Sequence, residues 1–174
     1  MSIIDAQGYR LNVGIILRNR DGHLLLTRRS EKHSWQFPQG GMETKETTEQ
    51  SMYRELAEEL GLTEDKVEII TKSNHWYSYR LPPRYIRRNQ YPRCVGQKQK
   101  WFLLNFLGSN EDICLDADPN PEFSEWAWFN PLDPLHTLVI FFKRDVYQAV
   151  LREFMPFTMG NSYAMQAQRF FTSR

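Results

Sequence analysis

GGMETKETTEQSMYRELAEELG, residues 40–61, crowds acidic side chains onto one short stretch of a chain whose net charge is only +1. Glu55, Glu58 and Glu59 are spaced i, i+3 and i+4, so on a helix they project from one side. Met52, Leu56 and Leu60 recur at helical spacing on the sector beside them. Thr47 with Gln50 makes a capping-box start and Gly61 a natural stop, which predicts a helix between them. Like charges one turn apart destabilise a helix by about 0.2–0.5 kcal/mol in water, and by more when partly buried. A solvated acidic face is the commonplace reading of such a pattern, but in this helix only Arg54 interleaves the carboxylates. Three clustered carboxylates are also what a hard divalent cation takes, because magnesium prefers oxygen ligands. Gly40-Gly41 reads as a turn whose backbone could approach the same ion.

Outward from the helix, RLNVGIIL (10–17) alternates and then runs apolar, as a strand entering a core does. Asn19-Arg20-Asp21-Gly22 supplies a turn with the favoured Asp-Gly pair, and HLLLTRR (23–29) follows as a second strand. WQFPQGG (35–41), with its proline and glycines, reads as a break in regular structure. VEIIT (67–71), KWFLLNFL (100–107) and EWAWF (125–129) are further strands, with Trp101, Phe102 and Phe106 as core. RDVYQAVLREFM (144–155) carries Val146, Val150 and Phe154 at helical spacing. The class is α/β, a mixed β-sheet between helices. The 174 residues suffice for one domain with a real core. The boundaries fall at 1–156 for the domain and 157–174 for a tail without clear periodicity. Cys94 and Cys114 form no motif and fit free thiols in a reducing cytosol. No signal-like or membrane-length apolar run is present, and the expectation is a cytoplasmic protein with no membrane partner.

The spacing around the acidic helix matches a known pattern in full. Gly40, five residues, Glu46, seven residues, Arg54-Glu55-Leu56, one residue, Glu58-Glu59, one residue, Gly61-Leu62 resembles the Nudix box, spanning residues 40–62. The resemblance implies an α/β/α sandwich and hydrolysis of a nucleoside diphosphate linked to another group. It implies that Glu55, Glu58 and Glu59 hold the metal, with the Gly40 carbonyl and a late loop carboxylate, Glu122, assisting. Glu46 and Arg54 join the catalytic set as the pair bracing the helix from its own loop. Two or three magnesium ions are implied, with manganese or another divalent cation as a substitute. Two carboxylates stand as candidate general bases, Glu58 within the box and Glu122 in PNPEFSEW.

The substrate is sought elsewhere in the chain. From Ile69 to Asn110 there is no acidic residue, while Lys72, Arg80, Arg84, Arg87, Arg88, Arg93, Lys98 and Lys100 all fall there. Aromatic residues are interleaved with them. Within RLPPRYIRRNQYPR, Arg84, Arg87 and Arg88 form a cationic loop suited to a phosphodiester backbone, with tyrosines able to stack on unpaired bases. GYRLNVGIIL, HSWQFPQGG, YRLPPRYIR, GQKQKWFLL, PEFSEWAW and FKRDVYQAV resemble the bacterial RNA pyrophosphohydrolase branch of the Nudix family. That resemblance implies 5′-phosphorylated RNA as partner, mainly at a single-stranded 5′ end, and not DNA, with any protein activator left open. It makes Arg10, Arg29, Ser34 and Tyr79 candidates for the 5′ phosphates. Gln97, Phe142 and Lys143 become candidates for the first or second nucleotide. Leu11 departs from the proline expected after Arg10. The alternatives are a dinucleoside polyphosphate hydrolase and an inactive Nudix fold that binds RNA.

Overall fold

The structure is a computed structural model and describes residues 3–30, 34–87, 89, 91–117, 121–132 and 138–158. Eight strands are numbered in chain order: β1 (Tyr9–Arg18), β2 (Leu24–Arg29), β3 (Trp35–Gln36), β4 (Gln39–Gly41), β5 (Val67–Lys72), β6 (Tyr77–Arg80), β7 (Gly96–Phe106) and β8 (Phe123–Phe129). Two helices accompany them, α1 (Thr48–Leu60) and α2 (Arg144–Thr158). The sheet is mixed. β1 runs parallel to β7 over its whole length and antiparallel to β2 and β4. β7 in turn holds β5 and β6 antiparallel, and β2 holds β3 and β8.

The period of two along the central strands sorts the core into two layers. Val13, Ile15 and Leu17 of β1 and Phe102, Leu104 and Phe106 of β7 pack with Met52, Leu56 and Leu60 of α1. Ile16 of β1 and Trp101 and Leu103 of β7 face the other way, against Tyr147, Val150 and Phe154 of α2. Both sheet faces are therefore covered, which is why β1 and β7 read as nearly continuous apolar runs. Trp101, Phe102 and Phe106 are core, as expected. Gly14 makes room for Trp101: a Cβ there would lie 2.5 Å from the indole ring. Gly14→Ala should lower stability by about 1–3 kcal/mol through overpacking, read as a drop in denaturant midpoint.

Three expectations are corrected. WQFPQGG is not irregular: it supplies β3 and β4, with only Phe37 and Pro38 between them. Gly40-Gly41 is accordingly not a turn but strand, with Gly40 opposite Val13 and Gly41 opposite Asn12. β7 begins at Gly96, four residues ahead of the expected start, because Gln97–Gln99 already pair with Arg10–Asn12. The capping box at Thr47 and Gln50 is present, and Gly61 takes the left-handed conformation (φ 66°) that closes the helix. No helix among the described residues is long and apolar enough to cross a membrane. Arg88 and the tail beyond Thr158 lie outside the described residues.

Candidate active site

Arg54 is the hub of α1. Its Nε and Nη2 donate to the two carboxylate oxygens of Glu46 at 2.6 and 2.9 Å, and Nη2 also donates to the Gly41 carbonyl at 2.9 Å. Nη1 donates to Glu55 at 2.7 Å and to Glu58 at 3.1 Å. One planar guanidinium thus ties the preceding loop, β4 and the helix together, a geometry that lysine could not reproduce. Glu46 also accepts from the Glu43 N–H at 3.0 Å. The hydrogen bonds from Arg54 dominate in pulling the Glu46 carboxyl down to about 2.

The three carboxylates of the box do not share one environment. Glu55 and Glu59, one turn apart, are each only 8% exposed and lie among the packed residues of α1. Glu58 is half-exposed and lies along Arg54. Burial pushes the Glu55 carboxyl above its ordinary value, against the pull of Arg54 and Arg10. Burial pushes Glu59 well above the ordinary range, and the charges of Glu122 and Glu55 push it further. The Gln39 N–H, which donates to Glu59 at 3.1 Å, and the charge of Lys143 oppose that rise.

Among the described residues no three His, Cys, Asp or Glu side chains are gathered as a finished metal cage. The donor set nevertheless fits a hard divalent cation. Its members are carboxylate oxygens, two of them buried with like charges for neighbours, an arrangement that a cation would relieve. Gly40 is part of that fit: a Cβ there would lie 1.8 Å from the Glu55 carboxylate, so only a bare backbone can face it so closely.

The expected phosphate- and nucleotide-binding side chains fall on the surrounding strand ends. Arg10 lies against Gly41, where a Cβ would meet its guanidinium at 2.2 Å, and its buried Nε has no partner among the described residues. Arg10 and Gln97 line a cavity of about 700 Å³ together with Tyr85 and Arg87. Tyr79 is buried and donates to Gln97 Oε1 at 2.5 Å. Burial raises its phenol, while the charges of Arg29 and Arg10 act to lower it. The Phe142 ring packs at a tilt against Tyr79, with centroids 5.6 Å apart. Arg29 pairs with Glu122 at 3.0 Å, and its backbone N–H donates to the Ser34 carbonyl at 3.2 Å. Lys143 is 6% exposed and donates to Gln36 Oε1 at 2.8 Å. Arg84 and Arg87 are exposed between β6 and β7.

Residues absent from the sequence reading join these groups. The Gln39 amide donates to Gln97 Oε1 at 3.2 Å, and Tyr147 donates to Gln39 Oε1 at 3.2 Å while accepting the Phe37 N–H at 3.1 Å. Tyr147 carried a usable signal, standing three residues before Val150 on the apolar stripe of α2. Gln36 and Gln39 carried none, because polar residues beside a proline ordinarily read as loop.

A family model described as the NUDIX domain matches residues 8–153. An RNA pyrophosphohydrolase of Pseudoalteromonas translucida (strain TAC 125) is 52% identical over 157 residues, covering 90% of this chain and 91% of the relative. One of Shewanella denitrificans is 48% identical, with 91% of each chain covered. Among solved structures, the E. coli dihydroneopterin triphosphate pyrophosphohydrolase superposes with a TM-score of 0.61 at 18% identity, covering 74% of this chain and 85% of that one. A C. elegans Ap4A hydrolase superposes with a TM-score of 0.59 at 20% identity, covering 84% and 96%. At those identities the structural likeness is one of fold alone.

Proposed function

The chain belongs to the Nudix family, and on that premise we propose that it is an RNA 5′ pyrophosphohydrolase. It converts 5′-triphosphate ends to 5′-monophosphate with release of pyrophosphate, and diphosphate ends with release of orthophosphate, exposing the transcript to decay. What supports this reading is the cavity that Arg10 and Gln97 share with Arg87 of the arginine-rich, acid-free loop, Arg10 being near enough to Glu55 for its charge to act on that carboxylate. A small nucleotide has no use for so long a cationic track.

Glu55, Glu58 and Glu59, with the Gly40 carbonyl and Glu122, are the groups assigned to hold two or three magnesium ions, with manganese as a substitute. Bound there, such ions would supply charge neutralisation at phosphoryl oxygens and a more acidic water. Arg54 and Glu46 keep the carboxylate helix registered against β4. Arg10 and Arg29 fork onto phosphate oxygens, with Ser34 and Tyr79 beside them. Lys143 and Phe142 receive the first or second nucleotide together with Gln97. Of the two candidate bases, Glu122 is near enough to buried Glu59 for its charge to act there, whereas Glu58 is held by Arg54. When Arg29 turns from Glu122 to a phosphate, that carboxylate is left to accept the proton of the attacking water. The anhydride bond then breaks between the α- and β-phosphates.

The direct test is product analysis on 5′-triphosphorylated RNA, which should yield pyrophosphate and 5′-monophosphate ends. Release of orthophosphate alone from the triphosphate would overturn the assignment. Neutralising Arg87 and Arg88 together should raise KM for RNA by about tenfold at low salt and change small-nucleotide turnover little, since each phosphate contact adds a salt-dependent increment. An equal effect on both substrates would mean that the loop is not an RNA track.

A further inference from the structure

Phe142 belongs to a row of rings that does not end at the site. Behind it, Tyr79 lies 5.6 Å away, buried next to Gln97. Beside it, Tyr85 lies at 5.2 Å, and ahead of it Phe141 meets it edge-on at 5.4 Å. Phe141 is 52% exposed. The Arg84 guanidinium stands 5.1 Å from the Tyr85 ring and 6.0 Å from the Phe141 ring. The row thus runs from the wall of the phosphate cavity out to solvent, and it joins two short helical turns, Pro83–Tyr85 and Phe141–Lys143.

A single exposed phenylalanine is ordinary on a protein surface and by itself marks nothing. Two features set this one apart. Its neighbour Arg84 makes no ion pair among the described residues and sits in a span without any acid. Its ring also continues a row that already reaches the site. A half-exposed aromatic face beside a guanidinium offers a π surface for a base and a positive charge for the adjoining phosphate.

We propose that Phe142 meets the second nucleotide and that Phe141 and Arg84 form a stacking step for the third, one base farther from the 5′ end. This rests on the RNA reading above. Single-stranded RNA fits the step because its bases are free to leave their own stack. A peptide partner would instead be expected to bring acidic groups to Arg84, and it would ignore RNA length.

The test compares a 5′-triphosphorylated dinucleotide with a single-stranded 5′-triphosphorylated octanucleotide. Phe141→Ala should raise KM for the octanucleotide about fivefold or more and leave the dinucleotide unchanged, and Phe141→Trp should restore the wild-type value. Equal effects on the two substrates, or none on either, overturn the proposal. Binding is read separately with 2-aminopurine at the third nucleotide, whose fluorescence should be quenched by the wild type and less so by Phe141→Ala. If the wild type quenches the probe but cleaves no RNA, the functional reading fails and the stacking step stands. If both proteins quench alike, the stacking step fails whatever the turnover.

Discussion

Glu59→Gln should reduce magnesium-dependent hydrolysis by at least about a thousandfold while leaving the protein as stable as before, or more so. The two halves of that expectation have one cause. Glu59 is buried beside Glu55 and within the field of Glu122, so its ionised form is held at a cost that the Gln39 N–H and Lys143 relieve only in part. A carboxyl whose folded value is raised contributes most to stability below its unfolded value near 4.5. That contribution is lost as pH rises through the folded value. At neutral pH without metal the group therefore works against the fold, and glutamine removes the charge while keeping an oxygen for the Gln39 N–H. Magnesium should raise the Tm of the wild type and leave that of the variant unmoved. Turnover within tenfold of wild type, or an unaltered metal-dependent rise in Tm, would contradict the role assigned to this carboxylate.

Arg54→Lys should do the opposite to stability. The substitution keeps the positive charge and loses the fork, leaving Glu46, Glu55, Glu58 and the Gly41 carbonyl to share one ammonium. Breaking a partly buried network of this kind costs about 2–4 kcal/mol. Activity should fall about a hundredfold, because the carboxylate helix loses its register on β4. The pH dependence separates this from a general loss of packing. The stabilisation from Glu46, whose carboxyl lies at about 2, is present above its unfolded value near 4.5 and is lost as pH falls toward 2. The stability difference between wild type and variant should therefore narrow over that range. A difference that stays constant from pH 6 to pH 2.5 would mean that the Glu46–Arg54 pair contributes nothing specific.

The parts of this molecule that were legible in its sequence are those fixed by repetition. The helix limits followed from Thr47, Gln50 and Gly61, each of which satisfies backbone groups by itself. β1, β2, β7 and β8 announced themselves through long apolar or alternating runs that only a covered sheet can bury. β3 and β4 did not, since strands of two and three residues beside Pro38 have no period to detect and exist because β2 and β1 offer pairing partners. The carboxylate spacing disclosed the acidic helix but not its division into buried Glu55 and Glu59 and outward Glu58, which depends on how α1 rolls against the sheet. The hydrogen-bonded chain from Tyr147 through Gln39 to Gln97 was hidden for a related reason. Its members come from three elements, and polar residues read one at a time point to a surface.

The most direct measurement of the central claim is turnover on 5′-triphosphorylated RNA set against turnover on a diadenosine polyphosphate under the same magnesium concentration. The RNA should be the better substrate in kcat/KM, and its product should carry a 5′-monophosphate. RNA left untouched while the dinucleotide is cleaved well would contradict it.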